Sequence, residues 1–521
     1  MNYEAIVNVL ADIAKIFITY TVILFVFLFI VLCCYIVVLY VIDRTQKEHT
    51  VRRNYPVIGR FRYFFEHLGE FFRQYFFAMD REEMPFNRAQ RSWVYRAAKN
   101  LDQTVAFGST RDLRPEGTVM FINSPFPPLT DESLPPKPIR LGDGYCGKPY
   151  ETSAIVNISG MSFGAISKPA VRALSHGAKA AGCWVNTGEG GLSRYHLEGG
   201  CDIVFQIGTG KFGVRDRHGN LSEEKLAGIA QHEAVKMFEI KLSQGAKPGK
   251  GGMLPGAKVT AEIAEIRGLE IGQDAISPNR HHELATSEDL LEMIYRVRQI
   301  TDKPTGFKAV ISSSAWLDEL FGLIRAKGLE YAPDFITVDS ADGGTGAAPM
   351  SLMDDVGLTI KESLPMLVDK LDEYQLRDRI KVNASGKLIN PTEVAWALCV
   401  GTDFVSTARG PMFALGCIQA LQCNKNTCPT GITTHDRELQ KGLVVENKQK
   451  RVAHYIKNLE KEIRIIANSC GLKRPRDFTR EHARIVIDTG RSVTLAQLYP
   501  SFQGHPPKLT APLEGESAVN S

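Results

Sequence analysis

Three cysteines, Cys417, Cys423 and Cys428, stand within twelve residues as C-x5-C-x4-C, and Pro429 follows the last. Closely spaced thiolates with a trailing proline are the usual ligands of iron–sulfur clusters. Three thiols suit a three-iron cluster, in which each iron takes one protein sulfur. Zinc is an alternative, with His435 as its fourth ligand. Unrelated buried cysteines are another, and a disulfide would leave one thiol over. The other seven cysteines, Cys33, Cys34, Cys146, Cys183, Cys201, Cys399 and Cys470, lie mostly in apolar runs with no secreted-scaffold pattern, which suits a reducing compartment.

A second constellation is built from glycine turns, each behind a short apolar run. These are Gly160-Met161-Ser162, Gly188-Glu189-Gly190, Gln244-Gly245-Ala246-Lys247, Asp342-Gly343-Gly344-Thr345, Ser385-Gly386-Lys387 and Thr407-Ala408-Arg409-Gly410. Glycine lets backbone N–H groups approach an anion, and helix N-termini behind such turns hold phosphate. Gly386, Ala408 and Arg409 suit that role. Lys308, inside an apolar run, could meet the pyrimidine edge of a flavin, where a cation stabilises the reduced form. Taken singly, each turn reads as a tight turn and Lys308 as an ion-paired lysine. Their recurrence at corresponding positions favours a phosphate-bearing cofactor.

The elements that must position these residues alternate. Strand-like runs are Ala154–Ser159, Cys183–Asn186, Ile203–Gln206, Lys236–Leu242, Thr305–Val310, Asp334–Val338, Ile380–Ala384 and Asp403–Ser406. Helical patterns such as Pro169–Ala181, Ser287–Ile300, Ala315–Ala326 and Pro391–Leu398 fall between them. Eight strands in βα alternation predict an α/β fold, a (β/α)8 TIM barrel, whose site lies where strands end and loops begin. A doubly wound sheet would need a G-x-G-x-x-G turn after its first strand, and Ser159-Gly160-Met161-Ser162-Phe163-Gly164 is not one.

These stretches, with Leu254-Pro255-Gly256, His281-His282 and the cysteine cluster, resemble the FMN-binding synthase region of the glutamate synthase family over roughly residues 110 to 470. The resemblance implies a barrel holding FMN beside a 3Fe–4S cluster bound by Cys417, Cys423 and Cys428. It implies an oxidoreductase acting on CH–NH2 donors, in which hydride reaches 2-iminoglutarate formed from 2-oxoglutarate and ammonia. Glu189 is similar to the family's acid near the substrate, and Gln244, Lys247 and Arg267 to its 2-oxoglutarate contacts; Glu189 and Lys247 are the expected catalytic pair, Glu189 supplying a proton while Lys247 holds the substrate's carboxylate. A guanidinium can hold a carboxylate by two parallel bonds, although Arg267 also reads as an exposed helix residue. Gly160, Met161, Ser162, Lys308, Asp342, Gly343, Gly344, Thr345, Ser385, Gly386, Lys387, Thr407, Ala408 and Arg409 are the expected cofactor contacts. His281 and His282 receive no role.

The chain departs from the family pattern. Lys250 and Met253 stand where the family usually carries Glu and Gln, and methionine cannot donate to a carboxylate. The Ser385-Gly386-Lys387 turn replaces an Asp-Gly-Gly type, with Lys387 adding charge. Met1-Asn2 offers no cysteine nucleophile, and no glutaminase or nicotinamide-binding segment is recognisable. Ammonia is therefore expected from a partner, and electrons from an external donor such as ferredoxin or a reductase subunit. A same-architecture enzyme acting on another keto, imino or N-substituted amino acid is a second reading. A non-catalytic electron-transfer module is a third, against which Glu189 and Lys247 argue.

From Ile16 to Ile42 no residue is charged. That length spans a hydrocarbon core of about 30 Å, and no small-residue cleavage site follows. Arg44, Lys47, Arg52, Arg53, Arg60 and Arg62 crowd its C-terminal side, which predicts a single-pass anchor with the catalytic region in the cytoplasm. The expected divisions are a short segment 1–15, a transmembrane helix 16–42, a basic and aromatic helical juxtamembrane region 43–110, a synthase domain 111–480 containing the cysteine loop 417–428, and an extension 481–521 whose end, Ser501 to Ser521, is expected to be disordered. Arg60 to Phe77 reads as a helix lying on the membrane or packing as a collar. A net charge of +4 over 521 residues does not imply nucleic acid.

Overall fold

The computed structural model describes residues 3–72 and 76–500; the expectation for Ser501 to Ser521 lies outside the described residues. The chain divides into two compact units, Met1–Ala89 and Gln90–Ser521.

In the first unit one helix runs from Tyr3 to Thr45. No glycine or proline interrupts this stretch, so helical hydrogen bonding carries on through residues 3–15, which sequence reading set apart. The segment Val7–Thr45 is long and apolar enough to cross a bilayer, and its most apolar stretch is unburied. At its end Asp43, 1% exposed, takes two hydrogen bonds from Arg60, at 2.8 and 2.7 Å, and one from the Val57 amide at 3.0 Å. That pair ties the long helix to a second one, Gly59–Phe72, on which Phe61, Phe64 and Phe65 are exposed.

The second unit is built on a closed barrel of eight parallel strands: β1 (Val156–Ile158), β2 (Val185–Asn186), β3 (Ile203–Ile207), β4 (Val235–Lys241), β5 (Thr305–Ala309), β6 (Phe335–Asp339), β7 (Lys381–Ser385) and β8 (Phe404–Thr407). Each lies within or beside the run that sequence pattern marked. The strands are buried almost throughout and enriched in Val, Ile and Phe, as expected where helices cover the outside. Parallel pairing of β8 with β1 closes the ring.

The barrel's N-terminal end is plugged. The hairpin Ile139–Leu141 with Tyr150–Thr152 packs Leu141 and Tyr150 against Trp184, Val204, Met237, Phe335 and Phe404. Above this plug the interior turns polar. Glu239 accepts from Asn186 Nδ2 at 2.8 Å, Gln206 Nε2 at 2.6 Å and Thr337 Oγ1 at 2.7 Å, and Asn383 bonds Thr337 and Ser406. A buried carboxylate persists because its lone pairs are occupied. The C-terminal end is thereby the end left for a ligand. The helix Val445–Ser469 packs on Lys168–Ala181, and strand Ala483–Asp488 lies between Val119–Phe121 and Arg491–Thr494.

One buried ion cluster fixes the start of β6. Asp334 accepts from Arg298 Nε at 2.9 Å, Arg379 Nη1 at 2.8 Å and the Thr305 amide at 2.7 Å, and its side chain is fully buried. Asp334→Ala leaves two guanidinium groups without their anion. It is expected to destabilise the barrel by about 3–5 kcal/mol, read as a lower denaturant midpoint. A loss below about 1 kcal/mol would mean that the surrounding carbonyls hold both arginines unaided.

Candidate functional site

A partly open cavity of about 150 Å³ lies at the C-terminal ends of the strands. Gly160, Met161 and Ser162 behind β1, Glu189 behind β2, Gln244 and Lys247 behind β4, Lys308 on β5, Gly344 and Thr345 behind β6, Ala408 and Arg409 behind β8, Arg267 and Cys423 all line it. Asp342, Gly343, Ser385, Gly386, Lys387, Thr407, Cys417 and Cys428 are not in its wall.

Glu189 is set by glycines. A Cβ on Gly252 would fall 1.9 Å from Glu189 Oε1, and one on Gly208 2.5 Å from Glu189 Cβ. The carboxylate lies 3.2 Å from Lys241 Nζ. Burial pushes its pKa up, but Lys241, Lys247 and Arg267 outweigh burial and hold it below the ordinary carboxylate value. At neutral pH Glu189 is therefore an anion. Burial, with Lys241 beside it, pushes Lys247 down to about 8.

Lys241 is a candidate site residue that sequence reading passed over; it lines the cavity beside Glu189. The signal was available, since a lysine closes an apolar barrel strand at the end where sites form. Its ammonium also donates to Gln244 Oε1 at 2.9 Å, while Gln244 Nε2 reaches the Gly344 carbonyl at 3.4 Å. Gln244 thus bridges two walls with both ends of its amide engaged. His281 has its Nε2 on the Lys241 carbonyl at 3.0 Å; burial pushes its pKa down to about 4, so it is neutral.

Arg267 is 3% exposed, which rules out the exposed-helix reading. Its Nη2 donates to Ser162 Oγ at 3.2 Å and the Phe163 carbonyl at 3.1 Å, and its guanidinium lies over the Phe212 ring at 5.1 Å. Its Nε is buried without a partner. Lys308 Nζ stands 3.9 Å from Asp339 Oδ2, so it is both paired and part of the wall. Gln206 also reaches the cavity from the polar layer.

Around the expected phosphate position, Gly386 has φ of +144°, and a Cβ there would meet Ser340 Oγ at 1.8 Å. Asp342 is engaged elsewhere. Its Oδ1 accepts from Ser340 Oγ and from the Ile360 amide at 3.3 Å, at the start of the helix Ile360–Glu373. Arg409 Nη2 donates to the Thr345 carbonyl at 2.6 Å. Of the expected cofactor contacts at this end, Gly344, Thr345, Ala408, Arg409 and Lys308 line the cavity, a glycine-containing backbone with two cations that suits a flavin phosphate and pyrimidine ring.

The cysteine loop forms a further wall. Arg409 Nη1 lies 4.0 Å from Cys423 Sγ, and Lys258 Nζ holds the Cys423 carbonyl at 2.8 Å. Burial pushes the Cys417 thiol up to about 11. Cys428 is pushed up by burial too, but hydrogen bonds with Thr430 and Thr433 outweigh this and leave it below the ordinary thiol value. Gln419, Leu421 and Asn426 take left-handed φ of 60°, 54° and 60°, a cost that non-glycine residues bear when a loop must wrap closely. Among the described residues no group of three His, Cys, Asp or Glu side chains converges as a metal site. His435, the candidate zinc ligand, has its Nε2 on the Gly164 carbonyl at 2.8 Å. The three thiols of this loop match a three-iron cluster in residue type and number, but in this structure they do not converge on one point.

The family described as a conserved region in glutamate synthase matches residues 137–473. The glutamate synthase large subunit-like protein YerD of Bacillus subtilis is 40% identical over 502 residues, covering 89% of this chain and 95% of that protein. The archaeal-type glutamate synthase (NADPH) of Thermotoga neapolitana is 35% identical over 320 residues, covering 61% of this chain and 59% of that protein. The glutamate synthase (NADPH) large chain of Bacillus subtilis is 31% identical over 319 residues, which are 20% of its length.

Proposed function

The chain belongs to the glutamate synthase family, and from that premise we propose that it is a membrane-anchored, FMN- and iron–sulfur-dependent oxidoreductase that reduces the C=N bond of an imino acid to an amine. The observation that carries this reading is the convergence of Lys241, Lys247 and Arg267 with Glu189 on one cavity at the strand ends. Such a surplus of positive charge draws an anionic substrate. A relay of electrons alone needs no such set.

Gly386, Lys387, Ala408 and Arg409 would hold the FMN phosphate, and Lys308 its pyrimidine edge. Bound there in its reduced form, FMN would supply the hydride. Lys247 holds the substrate carboxylate. Glu189, an anion, stabilises the protonated C=NH2⁺ group, the form that accepts hydride most readily; Lys241 holds Glu189 in place. Hydride adds to carbon, the C=N π bond breaks, and its electron pair stays on nitrogen as the amine. Cys417, Cys423 and Cys428 would hold a 3Fe–4S cluster that takes single electrons from an external donor, ferredoxin or a reductase subunit. Ammonia comes from a partner or from solution. In this reading Val7–Thr45 crosses the membrane, Phe61, Phe64 and Phe65 lie on its surface, and the barrel faces the cytoplasm.

In the family the acid is 2-iminoglutarate, from 2-oxoglutarate. A different imino acid is favoured by Met253, which stands in the cavity wall where the family usually has Gln. Purified protein should carry about one FMN and three irons per chain. Reduced anaerobically, its flavin should reoxidise on mixing with a 2-oxo acid and ammonium. Lys247 is depressed to about 8, so its ammonium form predominates below that pH and is lost above it. kcat/KM, which reports the free enzyme, should fall about tenfold per pH unit above 8. Flavin that stays reduced with every 2-oxo acid yet passes electrons to an added acceptor would make the protein a relay instead.

A further inference from the structure

The cavity has more cations than free cations. Lys241 is engaged by Glu189 and Gln244, at 3.2 and 2.9 Å. Arg267 has its Nη2 on Ser162 and Phe163. Lys258 donates to the carbonyls of Ala165 and Cys423, at 3.3 and 2.8 Å. Among the described residues Lys247, 6% exposed, has no side-chain hydrogen-bond or ion-pair partner. One carboxylate finds a waiting ammonium there, whereas Lys241 and Lys258 are already engaged.

The facing wall is apolar. Residues Met253–Leu254 pair antiparallel with Ala275–Ile276, and Met253 stands directly opposite Ile276. Residues directly opposite on such a ribbon share one face, so two large apolar side chains stand together, 52% and 66% exposed. Of this ribbon Met253, Leu254, Pro255 and Ala275 line the cavity and Ile276 does not, and the ribbon's polar side chain there is the neutral Ser277.

We propose that the acid handled at this site has one carboxylate and an apolar side group: a 2-imino monocarboxylate, with its carboxylate on Lys247 and its side group against Met253, Leu254 and Pro255. This rests on the reading of the site as an imino-acid reductase and names its substrate class. Each methylene laid against this wall tightens binding about fourfold. A second carboxylate pressed on a thioether has no donor and weakens binding by about tenfold or more.

The test is calorimetric titration of the full chain in detergent with 2-oxobutyrate, 2-oxohexanoate, 4-methyl-2-oxovalerate and 2-oxoglutarate, with flavin content measured on the same sample. Affinity should rise about fourfold per methylene from 2-oxobutyrate to 2-oxohexanoate. 4-Methyl-2-oxovalerate should bind about tenfold or more tightly than 2-oxoglutarate. Met253→Gln, at a half-exposed position that the fold does not need, should narrow or reverse that preference. Equal or tighter binding of 2-oxoglutarate by the natural chain, or no binding of any monocarboxylate, overturns the proposal. Protein without flavin would defeat the cofactor reading, yet the calorimetric comparison would still decide the substrate class.

Discussion

Glu189→Gln is expected to slow substrate-dependent flavin reoxidation by about 10²–10⁴-fold while FMN stays bound. Glutamine keeps the shape that Gly208 and Gly252 enclose, so the side chain stays in place. What changes is charge. The carboxylate is the one anion among Lys241, Lys247 and Arg267, and it is held ionised by them. Without it, a C=NH2⁺ group meets ammonium and guanidinium groups with nothing to offset them. The loss extends to binding. Glu189 raises the Lys247 pKa against burial and Lys241, so its removal drives Lys247 below 8 and neutralises part of the population at neutral pH. A lower kcat with a higher KM is therefore expected, with the fall in kcat/KM setting in at a lower pH than in the natural chain. Turnover within about threefold of the natural chain would show that another group stabilises the iminium.

The sequence reading cast Glu189 as a proton donor, and the difference from the carboxylate described above shows what a sequence carries. Glu189 was visible because glycines flank it; its ionisation depends on lysines that only the closed barrel brings near. The eight strands were legible because parallel strands covered on both faces read as short apolar runs between helical periods. Gln206 and Glu239 were not, since a polar residue inside such a run has no periodicity that marks its partner. Asp342 and Gln244 sit in the expected turns, yet Ser340, Ile360, Lys241 and Gly344 take their polar atoms. Motif position located both residues; hydrogen-bond partners decided what was left for a ligand. Arg267 illustrates the converse, because a short helix end gave no sign that Phe212 and the Ser162 loop enclose it.

Cys423→Ser is expected to abolish the cluster, from about three irons per chain to nearly none, while FMN is retained. Two thiols cannot supply three irons, and a serine hydroxyl does not ionise near neutral pH as a thiol can. Cys423 is the decisive position because, of the three loop cysteines, it is the one in the cavity wall, with Arg409 beside its sulfur. In the proposed reading its loss would interrupt the path between an external donor and the flavin. Flavin reduction by a one-electron protein donor should fail in the variant, whereas direct reduction by dithionite should survive and still support reoxidation by substrate. Cys399→Ser makes the comparison fair: Cys399 is also buried, but it lies in the helix Pro391–Val400 outside the loop, and that variant should keep its iron. The left-handed turns at Gln419, Leu421 and Asn426 give the same expectation a second readout, because a loop wrapped for a cluster and left without one should become more open to proteolysis in Cys423→Ser than in Cys399→Ser. Natural protein isolated with zinc in place of iron, or a Cys423→Ser variant that keeps its three irons, would sink the assignment.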